Sequence, residues 1–292
     1  MSSRQAEAAG VTLIEPPPTR QRLEDDGYLV VPRFLSDERV RLLDAIAAAA
    51  RTSCAADHLG RDRYAGRVAE MAELPQLADV LCWPEHFELL KRLGFADPKW
   101  FMAFLLQKPP GGEALYWHQD WWGWRHHLSY NRAPPLMFMM FYLVDTTSDN
   151  GCLRVLPGSH VKPHPLHEVT ALADYISYSS FDVPELFGRV EGEIDVPVSA
   201  GDLVIRDARL LHATHVNRSA QWRPMLSISV AGAYANLPSV IRRTMEIKRP
   251  KIEKTWPPSL WDQVKNDLSI CPSAGTALKI DRVPNFRTPT HQ

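Results

Sequence analysis

Apolar positions fall into two textures along this chain. Up to about residue 93 they recur at the three-to-four-residue spacing of amphipathic helices, and from about residue 100 they gather in short unbroken runs. The segment GYLVVPRFL, from Gly27, reads as a short strand leading into a helix. Ser36 is a suitable N-cap for that helix, Asp37 and Glu38 fill its first turn, and apolar residues keep the helical spacing through Ala50. A second helical stretch is predicted over about 75–93, interrupted by Pro84. WFMAFLLQ (100–107), LMFMMFYLV (136–144), CLRVL (152–156), EIDVPV (193–198), DLVIR (202–206) and MLSISVAG (225–232) read as strands. Turn signals separate them at Pro109-Pro110-Gly111-Gly112, Asp149-Asn150-Gly151, Pro157-Gly158 and Ala200-Gly201-Asp202. Strands so punctuated predict a sandwich or barrel, and unbroken apolar strands predict burial on both faces. The pattern therefore predicts a mainly β chain, a double-sheet core with helices packed on its outside.

This reading divides the chain into a tail over 1–20, rich in Ala and Pro and expected to be poorly ordered, and one domain over 21–292. Within the domain we expect a helical part (21–98), a β core (99–235) and a C-terminal cover (236–292) with a helix around 260–267. No internal repeat is visible.

Composition narrows the function. The 292 residues carry a formal net charge of -1, with 45% hydrophobic and 23% charged residues. No positive surplus serves a phosphate backbone, so no nucleic-acid partner is expected. No apolar run approaches the roughly 18 residues of a membrane span, so no membrane partner is expected either. The N-terminus lacks the pattern of a secretory signal, and the final THQ is no peroxisomal address. Cys54, Cys82, Cys152 and Cys271 are scattered without a CxxC pair and read as reduced thiols. A cytoplasmic location and a small-molecule partner follow as expectations, and the oligomeric state stays open.

The chemistry concentrates in Tyr116-Trp117-His118-Gln119-Asp120-Trp121-Trp122-Gly123-Trp124. On a strand, positions i and i+2 share a face, so His118 and Asp120 could present an imidazole and a carboxylate side by side. Such a pair alone is a weak signal. His212, just past the strand that follows Gly201-Asp202, supplies a candidate third ligand. Two His and one carboxylate on one triangular face leave three metal positions open, the arrangement used by iron(II) oxygenases. Arg223, eleven residues beyond His212, suits a dicarboxylate, because a guanidinium grips a carboxylate through two parallel hydrogen bonds. Thr214 could donate a hydroxyl to the same group. His215 is an alternative to His212, disfavoured by its spacing to Arg223.

Together WHQD (117–120), DNGCLRVLPGSH (149–160), GDLV (201–204), LLHATHVNRS (210–219) and RPMLSISV (223–230) resemble the phytanoyl-CoA dioxygenase family of iron(II)- and 2-oxoglutarate-dependent oxygenases, over roughly residues 25–232. The resemblance implies a double-stranded β-helix, or jelly-roll, core of cupin type. It implies Fe(II) at His118, Asp120 and His212, with 2-oxoglutarate and O2 as cosubstrates. It implies Arg223 as the clamp for the distal carboxylate of 2-oxoglutarate, Thr214 assisting, and Gln107 near the other end. The implied reaction oxidises a C–H bond of a small organic molecule, a secondary metabolite, most simply by hydroxylation. Asp120 argues against halogenation, for which related enzymes carry a small residue there.

Trp117, Trp121, Trp122 and Arg154 are candidate substrate contacts, although each tryptophan, like Trp124, could equally serve the core. His126, His127 and His160 read as loop or structural residues, and Asn217 as a substrate contact or a loop holder. Two other readings stay open: a cupin-like metal hydrolase or isomerase, which has no evident use for Arg223, and a non-catalytic binding protein on the same scaffold.

Overall fold

The computed structural model describes residues 19–53, 66–172, 183–269 and 275–286. Most of the expected N-terminal tail, together with Cys54 and Cys271, lies outside the described residues. Thr19 caps helix α1 (Arg20–Asp26) by accepting from the Arg22 N–H, and Gly27 closes it with φ 83°.

Strand β1 (Tyr28–Val31) follows, then α2 (Asp37–Ser53), β2 (Arg67–Glu70), α3 (Leu77–Leu81) and α4 (Pro84–Arg92). Pro84 opens α4 at its first turn, where a missing N–H costs nothing. The core strands are β3 (Lys99–Lys108), β4 (Leu115–His118), β5 (Met137–Tyr142), β6 (Leu153–Val155), β7 (Ile194–Val196), β8 (Leu203–Asp207), β9 (His212–Thr214) and β10 (Arg223–Ala231). Helix α5 (Leu166–Leu172) stands between β6 and β7. Helices α6 (Ser239–Lys248) and α7 (Pro258–Val264) follow the last strand. The expected cover therefore holds a helix at 239–248 that its polar sequence did not announce, and the helix near 260 ends at Val264.

The strands form a six-stranded sheet, β1-β8-β5-β10-β3-β2, and a four-stranded sheet, β4-β9-β6-β7, with antiparallel pairing throughout. The mainly β, double-sheet fold class is the one predicted. Within the helical part β1 is the strand expected at GYLVVPRFL, β2 was not foreseen, and the two form both edges of the larger sheet.

Alternation along each strand sorts the side chains. Leu105, Phe141, Ile205, Leu226 and Ile228 join Leu43, Ala47, Leu81, Leu89 and Leu90 in the cluster between the large sheet and the helices. Met140, Tyr142, Val204 and Met225 face the other way, meeting Leu153, Val155 and Val196 of the small sheet. The outer face of the small sheet is closed by a third cluster, in which Trp117, Leu211 and Ala213 pack with Leu166 and Leu186. Gly201, at φ 90°, turns the chain into β8, and its N–H donates to the Tyr142 carbonyl at 2.8 Å.

Candidate metal centre

Strands β4 and β9 pair with His118 opposite His212, which brings the two imidazoles to 4.1 Å between ring centroids. His118 Nδ1 lies 2.8 Å from the Tyr116 carbonyl, and His212 Nδ1 lies 3.0 Å from the Leu210 carbonyl. A carbonyl only accepts, so each Nδ1 carries the proton and each Nε2 presents its lone pair. Asp120 Oδ1 is 3.8 Å from His118 Nε2, and Oδ2 is 3.6 Å from His212 Nε2. The ligand atoms of the three residues all lie within 4.8 Å of one another.

Asp120 reaches this position by a route other than the one expected. The strand ends at His118, so strict strand alternation does not place the carboxylate. Instead the Asp120 and Trp121 N–H groups both donate to the Ala208 carbonyl, at 2.8 and 2.9 Å, which fastens the loop beside the end of β8.

Burial is the main cause holding both imidazoles below their ordinary range. The Asp120 carboxylate opposes it at His118, and the Arg206 guanidinium reinforces it strongly at His212. Two neutral imidazoles and one carboxylate converging in a buried cleft fit a divalent transition metal with open coordination positions, and the carbonyls behind each Nδ1 fix the rings for that role.

Arg206 on β8 was not foreseen. Its Nη2 donates to Asp120 Oδ2, and its guanidinium lies over the Phe138 ring, 4.3 Å from the centroid.

Arg223 starts β10 on the same inner face as Met225 and is buried. It stands opposite Lys108 in the β3–β10 register. Its Nε has no hydrogen-bond partner. Burial pushes the nearby Tyr142 phenol up to about 12, against the opposing pull of the Arg223 guanidinium. Lys108 Nζ donates to Thr214 Oγ1 at 2.9 Å and to the Glu113 and His215 carbonyls at 2.5 and 3.0 Å. Burial, and then Arg223, pull this ammonium down to about 6. Thr214 Oγ1 also accepts from the Leu115 N–H at 3.3 Å, so its own hydrogen is left to donate.

Several expected site residues stand elsewhere. Gln107 is turned to the helix side, because Leu106 and Lys108 take the inner face and Gln107 falls between them. Its Oε1 accepts from Arg51 of α2 at 2.6 Å. Lys108, one residue on, takes the inner face instead, beside Arg223 and Thr214. Trp117 and Arg154 both lie on the outer face of the small sheet. The Arg154 guanidinium sits over the Trp117 ring at 4.9 Å and pairs with Glu193, while the Trp117 indole donates to the Gly188 carbonyl at 3.1 Å. Strand alternation thus turns both away from the metal candidates.

Trp121 and Trp122 are sealed, at 0% and 2% exposure, in a cluster with Phe101, Ile241 and Met245, and so offer no surface to a bound molecule. Trp124 belongs to the same cluster. These tryptophans instead seat the C-terminal segment: the Asp281 N–H donates to the Trp122 carbonyl, Gln119 Nε2 to the Arg282 carbonyl, and Phe286 packs edge-on against Trp124.

The remaining polar residues take structural parts. His215 stands apart from His118, Asp120 and His212, and its Nε2 donates to Asp195 Oδ1, 2.6 Å away, beside Cys152. Burial pushes that thiol up to about 12. Ser159 Oγ accepts from the Leu211 N–H and steadies the start of β9, while His160 reaches the Glu24 carbonyl. His126 caps the short turn that holds His127. Asn217 holds loops, donating to the Pro109 and Gln221 carbonyls.

Comparison with known proteins agrees with this arrangement. The family model for phytanoyl-CoA dioxygenase (PhyH) matches residues 23–225. A probable alpha-ketoglutarate-dependent hypophosphite dioxygenase of Stutzerimonas stutzeri is 32% identical over 131 residues, 44% of this chain and 43% of that protein. The chain thus spans less than half the length of that relative. The L-proline trans-4-hydroxylase of Streptomyces griseoviridis is 27% identical over 239 residues, 70% of this chain and 82% of its own. Among solved structures, the fold resembles HygX of Streptomyces hygroscopicus with nickel and 2-oxoglutarate bound. Its TM-score is 0.55 and its identity 16%, over 73% of this chain and 87% of that one. It also resembles the epimerase SnoN in complex with Fe3+, alpha ketoglutarate and nogalamycin RO. Here the TM-score is 0.54 and the identity 20%, over 73% and 81%.

Proposed function

The chain belongs to the phytanoyl-CoA dioxygenase family, and from that premise we propose that it is an iron(II)- and 2-oxoglutarate-dependent oxygenase that oxidises a C–H bond of a small organic molecule. In this reading His118, Asp120 and His212 hold the metal, Arg223 clamps the distal carboxylate of 2-oxoglutarate, and Thr214 donates to it. The observation that carries the reading is the convergence of two Nε2 lone pairs and a carboxylate within 4.8 Å. A buried arginine with an unpartnered Nε on the inner face of the same sheet sandwich supports the cosubstrate assignment. Relatives named as a dioxygenase and a hydroxylase, and a structural neighbour with Fe3+ and alpha ketoglutarate bound, support it further. We read residues 21–292 as one oxygenase domain, because β1 and β2 complete the large sheet and residues 281–286 cover the metal loop.

The bound metal would supply dioxygen activation coupled to oxidative decarboxylation of the cosubstrate. The protein's part is placement. The Tyr116 and Leu210 carbonyls fix the two imidazoles. The Ala208 carbonyl fixes the Asp120 loop. Lys108 occupies Thr214 Oγ1 as an acceptor and so frees its proton for a carboxylate. The sealed clusters on either side limit water to the mouth of the sandwich. Secondary metabolites, as in the nogalamycin complex of SnoN, are the proposed substrate class. No helix among the described residues is long and apolar enough to cross a membrane.

Anaerobic addition of 2-oxoglutarate to the Fe(II)-loaded protein should give a visible metal-to-ligand charge-transfer band, with succinate formed on admitting air. Absence of cosubstrate binding, with Arg223→Ala indistinguishable from the parent, overturns the proposal.

A further inference from the structure

We propose that Arg206 is a subsite for an oxyanionic head group on the substrate, a carboxylate or a phosphoryl group, held directly beside the metal. This rests on the oxygenase reading above and names the substrate chemistry of that same site.

Arg206 is 4% exposed, and only its Nη2 is engaged, by Asp120 Oδ2. Its Nε and Nη1 are buried and have no acceptor. Buried polar groups are almost always paired, and a charged donor is the costliest to leave unpaired, so the idle edge of this guanidinium marks a missing partner. Arg209 three residues later shows the contrast. It is equally buried, but its Nε, Nη1 and Nη2 meet Asp207 and the Ser129, Asn131, Arg132 and Ala133 carbonyls. Arg154 and Arg249 each leave only Nε unpartnered, whereas Arg206 leaves two nitrogens.

The inner face around this edge is only partly closed. Arg206 shares the inner face of β8 with Val204 and lies over Phe138. The inner-facing side chains Met102, Phe104 and Leu106 of β3 and Phe138 of β5 are only half-buried, whereas their outward neighbours Ala103, Leu105 and Met139 are closed. The inner face is therefore partly accessible around Phe138, where an apolar wall adjoins the Arg206 cation. The Arg282 guanidinium, on the Asp120 carbonyl at 3.4 Å, adds a second positive charge at the rim. An apolar wall beside a cation favours an amphipathic anion, and the fork of a guanidinium matches two oxygens of one oxyanion. Phe138 beneath and Asp120 beside fix the plane of the fork, so the anion binds in one orientation relative to the metal.

The test uses protein loaded with nickel(II) and saturated with 2-oxoglutarate, so that the metal and Arg223 are both occupied and no turnover occurs. Phenylacetate, phenyl phosphate and the neutral isostere phenylacetamide are titrated by calorimetry. Phenylacetate or phenyl phosphate should bind at least about tenfold tighter than phenylacetamide, the worth of a charge-assisted pair. Which of the two anions binds better separates carboxylate from phosphoryl recognition. Arg206→Met should bring the anion-to-amide ratio to about one, and Arg206→Lys should retain part of it, with melting curves and 2-oxoglutarate affinity confirming that both variants are folded. Equal binding of anion and amide, no binding of either anion, or a preference that survives in Arg206→Met overturns the subsite. Failure of 2-oxoglutarate itself to bind overturns the underlying oxygenase reading instead.

Discussion

The two faces of the large sheet are built from the same strands and have opposite characters. The helix side is apolar and closed, with Leu226 and Phe141 at 0% exposure among the helices. The inner side carries Lys108, Arg206 and Arg223, and it is half-open at the Phe138 end. Along β10 the change from Arg223 and Met225 to Leu226 and Ile228 is only the step from one face to the other. The difference teaches where stability and chemistry are kept: the sealed face carries the hydrophobic stabilisation, and the inner face can then tolerate buried charges that a core would reject.

Substitutions on each face should separate these roles. The largest effect is expected at Asp120→Ala, which removes the anionic ligand. Iron affinity should fall by about 100-fold or more, measured by metal competition, with the fold intact by circular dichroism. Unchanged affinity would mean that another carboxylate serves. On the sealed face, Leu226→Ala should cost about 3 kcal/mol of stability, read by denaturant titration, and leave the affinity of the folded protein for iron unaltered. Arg223→Ala should weaken 2-oxoglutarate binding by about 2 kcal/mol at constant metal affinity. A parent-like cosubstrate Kd would remove Arg223 from its role.

A smaller effect concerns pH and belongs to the sealed face. His86 sits among Phe34, Trp83, Trp100 and Phe141 with neither ring nitrogen partnered, and burial pushes its pKa down to about 3. Between an unfolded value near 6.5 and that folded value, the unfolded chain binds the extra proton. Stability therefore falls as pH drops from about 6.5 towards 3, by up to about 1.4 kcal/mol per pH unit from this residue. His86→Phe should flatten the loss between pH 7 and 5, and an undiminished slope would show that other groups govern it. The smallest effect separates adjacent residues on opposite faces. Gln107→Leu should leave 2-oxoglutarate affinity within about twofold of the parent, while Lys108→Met, which strands buried acceptors at Thr214 and two carbonyls, should cost about 2 kcal/mol of stability and weaken the cosubstrate.

The pattern of apolar runs and turn residues made the strands and the two-sheet class legible, because alternation and glycine chemistry are local. The three metal candidates were legible as residue types with workable spacing. What the sequence hid was parity and distance. WFMAFLL is apolar throughout, so nothing in it marks which residues face inward, and the register shift between Ser229 and Val230 resets the alternation. Gln107 was taken for the inner residue where Lys108 stands. The tryptophans around the HxD motif looked like pocket walls because their partners, Ile241, Met245 and Phe286, lie more than a hundred residues away. Arg206 reads as an ordinary strand residue, and only the position of Asp120 across the sandwich gives it meaning.

The fastening of the Asp120 loop by Asp281 and Arg282 bears on the order in which the site can be assembled during synthesis. The two histidines can meet once β9 has paired with β4. The carboxylate loop gains its last contacts only when residues 281–282 arrive, 50 positions after Ala231 ends β10. At about 5–20 residues per second on the ribosome, that interval lasts several seconds. During it the nascent chain holds a two-histidine site whose carboxylate loop is fastened only at Ala208 and Arg206, so full-strength metal capture waits for the end of the fold.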